Sequence, residues 1–121
     1  MEYGKAIIFD DFDSLEMRQS QIVVYDREIG VRLLYEDPQS GAEHYLIRYP
    51  ARLKAQFHRH TAAHTIFVIE GRLAVNDQVV GPGAYCHFPA GETMFHAPAG
   101  DEGCLFINLF HGPSDVEPVN Q

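Results

Sequence analysis

The chain has 121 residues, of which 45% are hydrophobic and 21% charged, and its formal net charge is -8. This length and composition indicate one globular domain that can bury a core without disulfides or structural metal ions. The 17 acidic residues outnumber the 9 basic ones, and no cluster of Lys and Arg interrupts the excess. Because nucleic acids and anionic membranes are bound by basic surfaces, neither is an expected partner.

In chain order, most segments read as short strands separated by turns. Apolar or alternating stretches bounded by Gly, Pro, Asn and Asp predict about nine to eleven strands, the candidates being 6–9, 21–25, 30–35, 43–49, 56–60, 64–70, 72–75, 78–80, 84–88, 93–97 and 104–110. The polar residues 14–21 are long enough for one helical turn, and residues 112–121 read as a C-terminal tail. Such a pattern, without a long helix, predicts an all-β sandwich or barrel.

The two cysteines, Cys86 and Cys104, do not form a CxxC pair. No secretory signal pattern precedes the short apolar run at 6–9, and no apolar run approaches the roughly 20 residues of a membrane-spanning helix. We therefore expect a cytoplasmic protein in which both thiols are free.

Three of the seven histidines lie within residues 58–64, with the spacing His-x-His-x3-His. His58 and His60 are two residues apart, so both project to the same face of a strand. A turn through 61–63 brings His64 towards that face. Because imidazole is the commonest metal-binding side chain, this cluster makes a metal site the first hypothesis.

Two spaced motifs contain these histidines. Six residues separate His64 from Gly71, and five separate Gly83 from Pro89-Ala90-Gly91, which is followed by His96. In this order and spacing the chain resembles the cupin superfamily, whose motifs are G-x5-H-x-H-x(3,4)-E-x6-G and G-x5-P-x-G-x2-H-x3-N. Motif one falls at about 52–71 and motif two at about 83–96. The resemblance implies one cupin domain at 1–111, folded as an antiparallel jelly-roll β-barrel around a metal ion.

The chain departs from both motifs. Arg52 replaces the first glycine, so we expect a different turn conformation there, and Gly100 stands at the final asparagine counted from His96. His64 replaces the glutamate, and Met94 replaces the histidine of motif two. Because residues 94 and 96 share a strand face, His96 can take over as ligand. The resemblance then implies a divalent metal bound by His58, His60, His64 and His96.

Four neutral imidazoles would leave the full double positive charge on the metal, which favours an anionic ligand such as an enolate or a phenolate. Imidazole does not select one metal. The resemblance favours Fe(II), with Zn, Ni and Mn as the other candidates. Four histidines on an octahedral ion leave two open positions, enough for a bidentate substrate or for a monodentate substrate and O2.

The surroundings of the metal supply further candidates. We expect an apolar pocket lined by Met94, Phe67, Tyr85 and Phe106. Glu92 precedes His96 by four residues and is the candidate for handling protons. His87 is expected beside the ligands or on the exterior, and His44 and His111 are expected to have structural or surface roles.

The resemblance implies a metal-dependent dioxygenase acting on a small enolisable or phenolic substrate, such as a diketone or an aromatic ketone. The alternatives are a Zn-dependent cyclase or isomerase of the cupin type and a non-catalytic sensor that binds a metal or ligand. The expected partners are a small-molecule substrate and a second copy of the chain, paired through its N-terminal strands.

Overall fold

The computed structural model describes residues 2–119, which form an almost wholly antiparallel β structure. Its elements are a 3-10 helix at Phe12–Ser14 and the strands β1 (Arg18–Ser20), β2 (Ile29–Glu36), β3 (Glu43–Tyr49), β4 (His58–His60), β5 (His64–Glu70), β6 (Leu73–Val75), β7 (Gln78–Val80), β8 (Tyr85–Phe88), β9 (His96–Pro98), β10 (Cys104–Phe110) and β11 (Val116–Pro118). No helix within 2–119 has the length and apolar content needed to cross a bilayer.

One large sheet and two small ones enclose the core. The large sheet has the strand order β1-β2-β3-β10-β5-β8, and the small sheets are β7-β6-β9 and β11-β4. The core contains Ile47, Ile66 and Phe106 from the large sheet, together with Leu73 and Met94 from the opposite side. This arrangement confirms the predicted all-β, jelly-roll architecture.

Side-chain alternation decides which residues face the interior. On β5, His64, Ile66 and Val68 are buried, whereas Phe67 between them is 40% exposed. On β10, Phe106 and Asn108 are buried on the inward face. The antiparallel register places His64 beside Phe110 of β10.

Two predicted strands are wrong. Residues 6–9 form no strand, and within 21–25 only Tyr25 makes an isolated bridge, to Ala55. Hydrophobicity alone does not supply a backbone partner, and β1 occupies the edge of β2 instead. The predicted helical turn at 14–21 is also misplaced, because the short helix lies at 12–14 and β1 follows it.

The remaining nine predicted strands are present. Four of them, at 43–49, 64–70, 78–80 and 104–110, have the predicted bounds, and the other five differ at one or both ends. Arg52 has a φ of 64°, the left-handed conformation that glycine adopts most readily. This conformation costs an arginine about 1–3 kcal/mol. Whether the turn differs from that of other cupins stays a prediction.

The segment expected to form a tail pairs with the histidine strand. Val116 of β11 lies opposite His60, and Pro118 lies opposite His58. The proposed boundary between residues 111 and 112 stays a prediction. Met1, Asn120 and Gln121, at the ends of the predicted ranges, lie outside the described residues.

Gly71 gives a test of the close packing at the end of motif one. A Cβ atom there would lie 2.1 Å from the carbonyl oxygen of Gly103, and φ is 76°. Gly91 has a φ of 75°, and an added Cβ atom would have nothing within 4 Å. We expect Gly91→Ala to lower the free energy of unfolding by about 1–2 kcal/mol through backbone strain alone. Gly71→Ala should lower it by at least about 2 kcal/mol more, because the backbone must also move.

Urea denaturation of both variants measures this difference. Equal losses of stability for the two alanine variants would contradict the steric account.

Candidate metal centre

Three of the predicted histidines meet inside the barrel. The ligand nitrogens of His58, His60 and His96 lie within 4.8 Å of one another. His58 and His60 come from β4, and His96 begins β9. Two backbone hydrogen bonds join His58 to Met94, at 2.9 and 2.7 Å. This bridge brings motif two against motif one and places His96, two residues after Met94, beside the strand of His58.

Hydrogen bonds fix the ring of His58. Its Nδ1 lies 2.8 Å from the carbonyl oxygen of Gln56. A carbonyl only accepts, so Nδ1 carries the hydrogen and donates it, which leaves a lone pair on Nε2 of the neutral ring. That Nε2 is buried and has no hydrogen-bond partner among residues 2–119. An imidazole whose Nδ1 is fixed by a hydrogen bond and whose Nε2 is unpaired fits a metal ligand.

His96 has the same arrangement. Its Nδ1 lies 2.7 Å from the hydroxyl of Tyr49, and its buried Nε2 finds no partner within the described part of the chain. The Tyr49 hydroxyl also hydrogen bonds to that of Tyr25. When His96 Nδ1 donates to Tyr49, Tyr49 can donate onward to Tyr25, so each hydroxyl oxygen accepts one hydrogen bond. Burial raises the pKa of Tyr49 well above its ordinary value, so it stays neutral.

His64 adjoins this group without belonging to the three-nitrogen cluster. Its ring centroid lies 4.5 Å from that of His60 and 5.8 Å from that of His96, and its ring stacks on Phe88. Both of its ring nitrogens are buried and lack partners in the described residues. The role of His64 as the fourth ligand stays a prediction. Its burial and its unpaired ring nitrogens are compatible with that role.

Burial keeps these imidazoles uncharged. Burial, with a smaller contribution from neighbouring imidazoles, lowers the pKa of His60 to about 4 and that of His64 to about 3. Burial also lowers the pKa of His58 and, more strongly, of His96. Neutral rings keep a free lone pair, which metal binding requires.

A cavity of about 230 Å³ opens beside the histidines. His60 and His96 line one side of it, and apolar side chains that include Ile47 and Phe110 line much of the rest. Phe110 packs against both His60 and His64, with ring centroids 5.3 Å apart in each case. The polar lining residues are Arg18, Ser20, Tyr25, Glu43, Tyr45, Asn108 and Ser114.

The expected pocket residues lie elsewhere. Phe67 and Tyr85 contact each other on the outer face, with ring centroids 5.4 Å apart, because the two-residue period turns both away from the core. Phe106 is buried against Tyr49 and His96. Met94 is buried in the core and pairs with His58 through its backbone. None of these four side chains lines the 230 Å³ cavity.

Glu92 is exposed in the turn after Pro89. It lines a separate groove of about 430 Å³ with Tyr85 and Met94, not the cavity beside the histidines. The structure therefore gives no support for the expected proton-handling role of Glu92. Tyr25, which sequence reasoning missed, lines the histidine cavity instead, and its position outside both motifs gave no signal.

The other three histidines lie outside the cluster. His87 and His111 each hydrogen bond to the hydroxyl of Thr65, at 2.9 and 2.8 Å. The ring of His44 lies against Tyr35. These contacts agree with the structural roles expected for them.

Comparison with known proteins decides the family. The sequence profile of the ChrR cupin-like domain matches residues 13–115. The chain belongs to this cupin family. No curated protein sequence matches this cupin.

Solved structures show the same fold. A cupin-like protein from Thermotoga maritima has a TM-score of 0.75 and 16% identity, covering 90% of both chains. The polyketide cyclase RemF from Streptomyces resistomycificus has a TM-score of 0.72 and 18% identity, covering 94% of this cupin and 87% of RemF. An acetylacetone dioxygenase from Acinetobacter johnsonii has a TM-score of 0.70 and 16% identity, covering 100% of this cupin and 86% of the dioxygenase. At these low identities, the TM-scores establish a shared fold and not a shared activity.

Tyr49 tests whether the hydrogen bond behind His96 supports metal binding. We expect Tyr49→Phe to weaken Zn(II) binding at least about tenfold, because Nδ1 of His96 loses the partner that fixes its ring. Tyr45→Phe is the matched control, since the Tyr45 hydroxyl donates to Glu43 and not to a histidine. Competition with a chromophoric chelator measures both affinities. Equal affinities for the two variants would rule out this role of Tyr49.

The lowered pKa values predict acid sensitivity of the metal-free protein. In the unfolded chain these imidazoles take up protons near pH 6.5, whereas the folded protein keeps them neutral to about pH 4 or below. Stability is therefore constant above pH 6.5 and falls on acidification, by up to about 1.4 kcal/mol per pH unit for each histidine.

Urea unfolding at pH 7, 6 and 5 measures this slope. His64→Asn should reduce the slope by one histidine's share. A stability that stays flat from pH 7 to pH 5 in the original chain would contradict the assignment of neutral, buried imidazoles.

Proposed function

We propose that this cupin is a metal-dependent dioxygenase that acts on a small enolisable or phenolic ketone. One observation carries the proposal: three imidazole nitrogens lie within 4.8 Å of one another beside a cavity of about 230 Å³. The buried Nε2 atoms of His58 and His96 have no partner within 2–119. An unpaired buried acceptor destabilises a fold, so a ligand that accepts these lone pairs accounts for their retention.

His58, His60 and His96 would hold a divalent metal, with His64 as the fourth ligand. Fe(II) is the favoured metal, and Zn, Ni and Mn are the other candidates. A bound divalent ion would supply Lewis acidity and, as Fe(II), reactivity towards O2. Neutral imidazoles do not offset the positive charge of the ion, so the site favours an anionic substrate.

The residues that line the cavity would bound and orient the substrate. Ile47 and Phe110 form apolar walls, and Tyr49 holds the ring of His96 from behind. A dry cavity of about 150 Å³ holds one benzene molecule, so 230 Å³ suits one substituted ring or a short diketone.

A Zn-dependent cyclase or isomerase is the second candidate. The fold is as similar to RemF as to the acetylacetone dioxygenase, so fold alone does not separate the two reactions. A non-catalytic sensor would use the same cavity and metal, with binding but no turnover.

We also propose that the protein is a cytoplasmic homodimer. Ile7 and Ile8 of the N-terminal segment are exposed, as are Phe67 and Tyr85 on the outer face of the large sheet. Exposed apolar groups of this kind favour association with a second copy. Cys86 and Cys104 are free thiols, which suits a reducing compartment.

Oxygen uptake by tag-free protein tests the proposal. A dioxygenase places both oxygen atoms in its products, so the Fe(II)-loaded protein should consume O2 with 2,4-pentanedione or 2-hydroxyacetophenone without an added reductant. His60→Ala should lower the rate at least about 100-fold through loss of a metal ligand. His44→Ala, on the outer face, is the matched control and should keep the rate.

Other outcomes separate the alternatives. Failure to bind any of the four metals would reject the metal site. Conversion of a diketone by the Zn(II) form without O2 would favour the cyclase or isomerase. Saturable ligand binding without O2 uptake or product would favour the sensor.

A further inference from the structure

Asn108 lies among aromatic side chains that surround the metal centre. It is on the inward face of β10, between Phe106 and Phe110 in the two-residue alternation of the strand. Phe106 packs near His96, with ring centroids 6.1 Å apart, and Phe110 packs against His60. The amide of Asn108 therefore enters the cavity between two rings that contact the histidines.

The amide oxygen of Asn108 has no partner. The residue is only 2% exposed, and its Oδ1 is buried without a hydrogen bond to any of residues 2–119. Its neighbours across the sheet are Tyr45 and Ile66. The Tyr45 hydroxyl is already used, because it donates to Glu43 at 2.9 Å. Ser114 lines the same cavity, and its buried Oγ also lacks a partner in this part of the chain.

Physical chemistry makes such an amide costly without a ligand. A buried acceptor that loses its hydrogen bond to water destabilises the fold, whereas a leucine of similar size would not. The neighbouring inward-facing residues of β10, Phe106 and Phe110, are apolar. Asn108 is therefore a buried polar group on an otherwise apolar inward face of β10, and it lines the cavity.

We propose that Asn108 determines ligand specificity by accepting a hydrogen bond from a hydroxyl or N–H group of a small, oxygen-chelating ring compound. This inference rests on the proposed metal-dependent function, since one end of the ligand binds the metal. The cavity of about 230 Å³ limits the ligand to one substituted ring. Because an amide oxygen only accepts, the selected group on the ligand must be a donor.

Matched chelators test the proposal on Zn(II)-loaded protein. The probes are hydroxypyrones that share one chelating oxygen pair and carry either a methyl or a hydroxymethyl group at the same ring position, as in allomaltol and kojic acid. A methyl and hydroxymethyl pair is prepared for each free ring position, so that the test does not depend on one orientation of the bound ring. Calorimetry measures the affinities, and a separate titration of Zn(II) alone confirms that the metal site is intact.

The original chain should bind at least one hydroxymethyl probe about tenfold more tightly than its methyl counterpart, the effect of one net hydrogen bond. Asn108→Leu should abolish this preference while Zn(II) affinity stays unchanged. Asn108→Ala provides the same test if leucine disturbs the packing. Ile107→Val, on the outward face of β10, should keep the preference.

Two results would overturn the proposal. One is that the original chain binds the two members of every methyl and hydroxymethyl pair with equal affinity, as expected if the Asn108 amide hydrogen bonds only to water. The other is a preference that persists in both Asn108 variants. Failure of Zn(II) itself to bind is a different result, which rejects the proposed metal-dependent function and with it the ligand site.

Discussion

The backbone bridge between His58 and Met94 is the interaction on which the centre depends. Its two hydrogen bonds, at 2.9 and 2.7 Å, join the first histidine strand to the turn of motif two. A pair of backbone bonds fixes register, so the residue two places after Met94 is held on a defined face. His96 occupies that place. A ligand far away in sequence thereby meets His58 and His60 without any direct bond between their rings.

Burial of imidazoles is the second constraint. His58, His64 and His96 are buried, and each has at least one ring nitrogen without a hydrogen-bond partner among residues 2–119. Burial also lowers the pKa values of these rings. The hydrogen bonds to Gln56 and Tyr49 satisfy the Nδ1 atoms of His58 and His96 and leave their Nε2 atoms without a partner in the described part of the chain. A metal ion bound by these Nε2 atoms would stabilise the folded state, because the unfolded chain lacks the assembled site. Stability and function are therefore linked through the same atoms.

The sequence predicted the parts of this centre that depend on spacing. Side-chain parity paired His58 with His60, and it identified His96 in place of Met94 as the residue that reaches the cluster. Parity alone does not state which face is inward, so Phe67 and Tyr85 were expected in the pocket although they point outward. The apolar runs at 6–9 and 21–25 predicted strands because hydrophobicity cannot reveal whether a backbone partner exists. Asn108 and Tyr25 gave no signal, since their importance arises from contacts made only in three dimensions.

The central claim is that the Nε2 atoms of His58 and His96 bind one divalent metal together with His60. An anomalous difference map from a crystal of tag-free protein soaked in Zn(II) tests it most directly. One dominant peak is expected inside the barrel, about 2.0–2.1 Å from these nitrogens. A peak only on the outer face, beside His87 and His111, or no peak at all would contradict it.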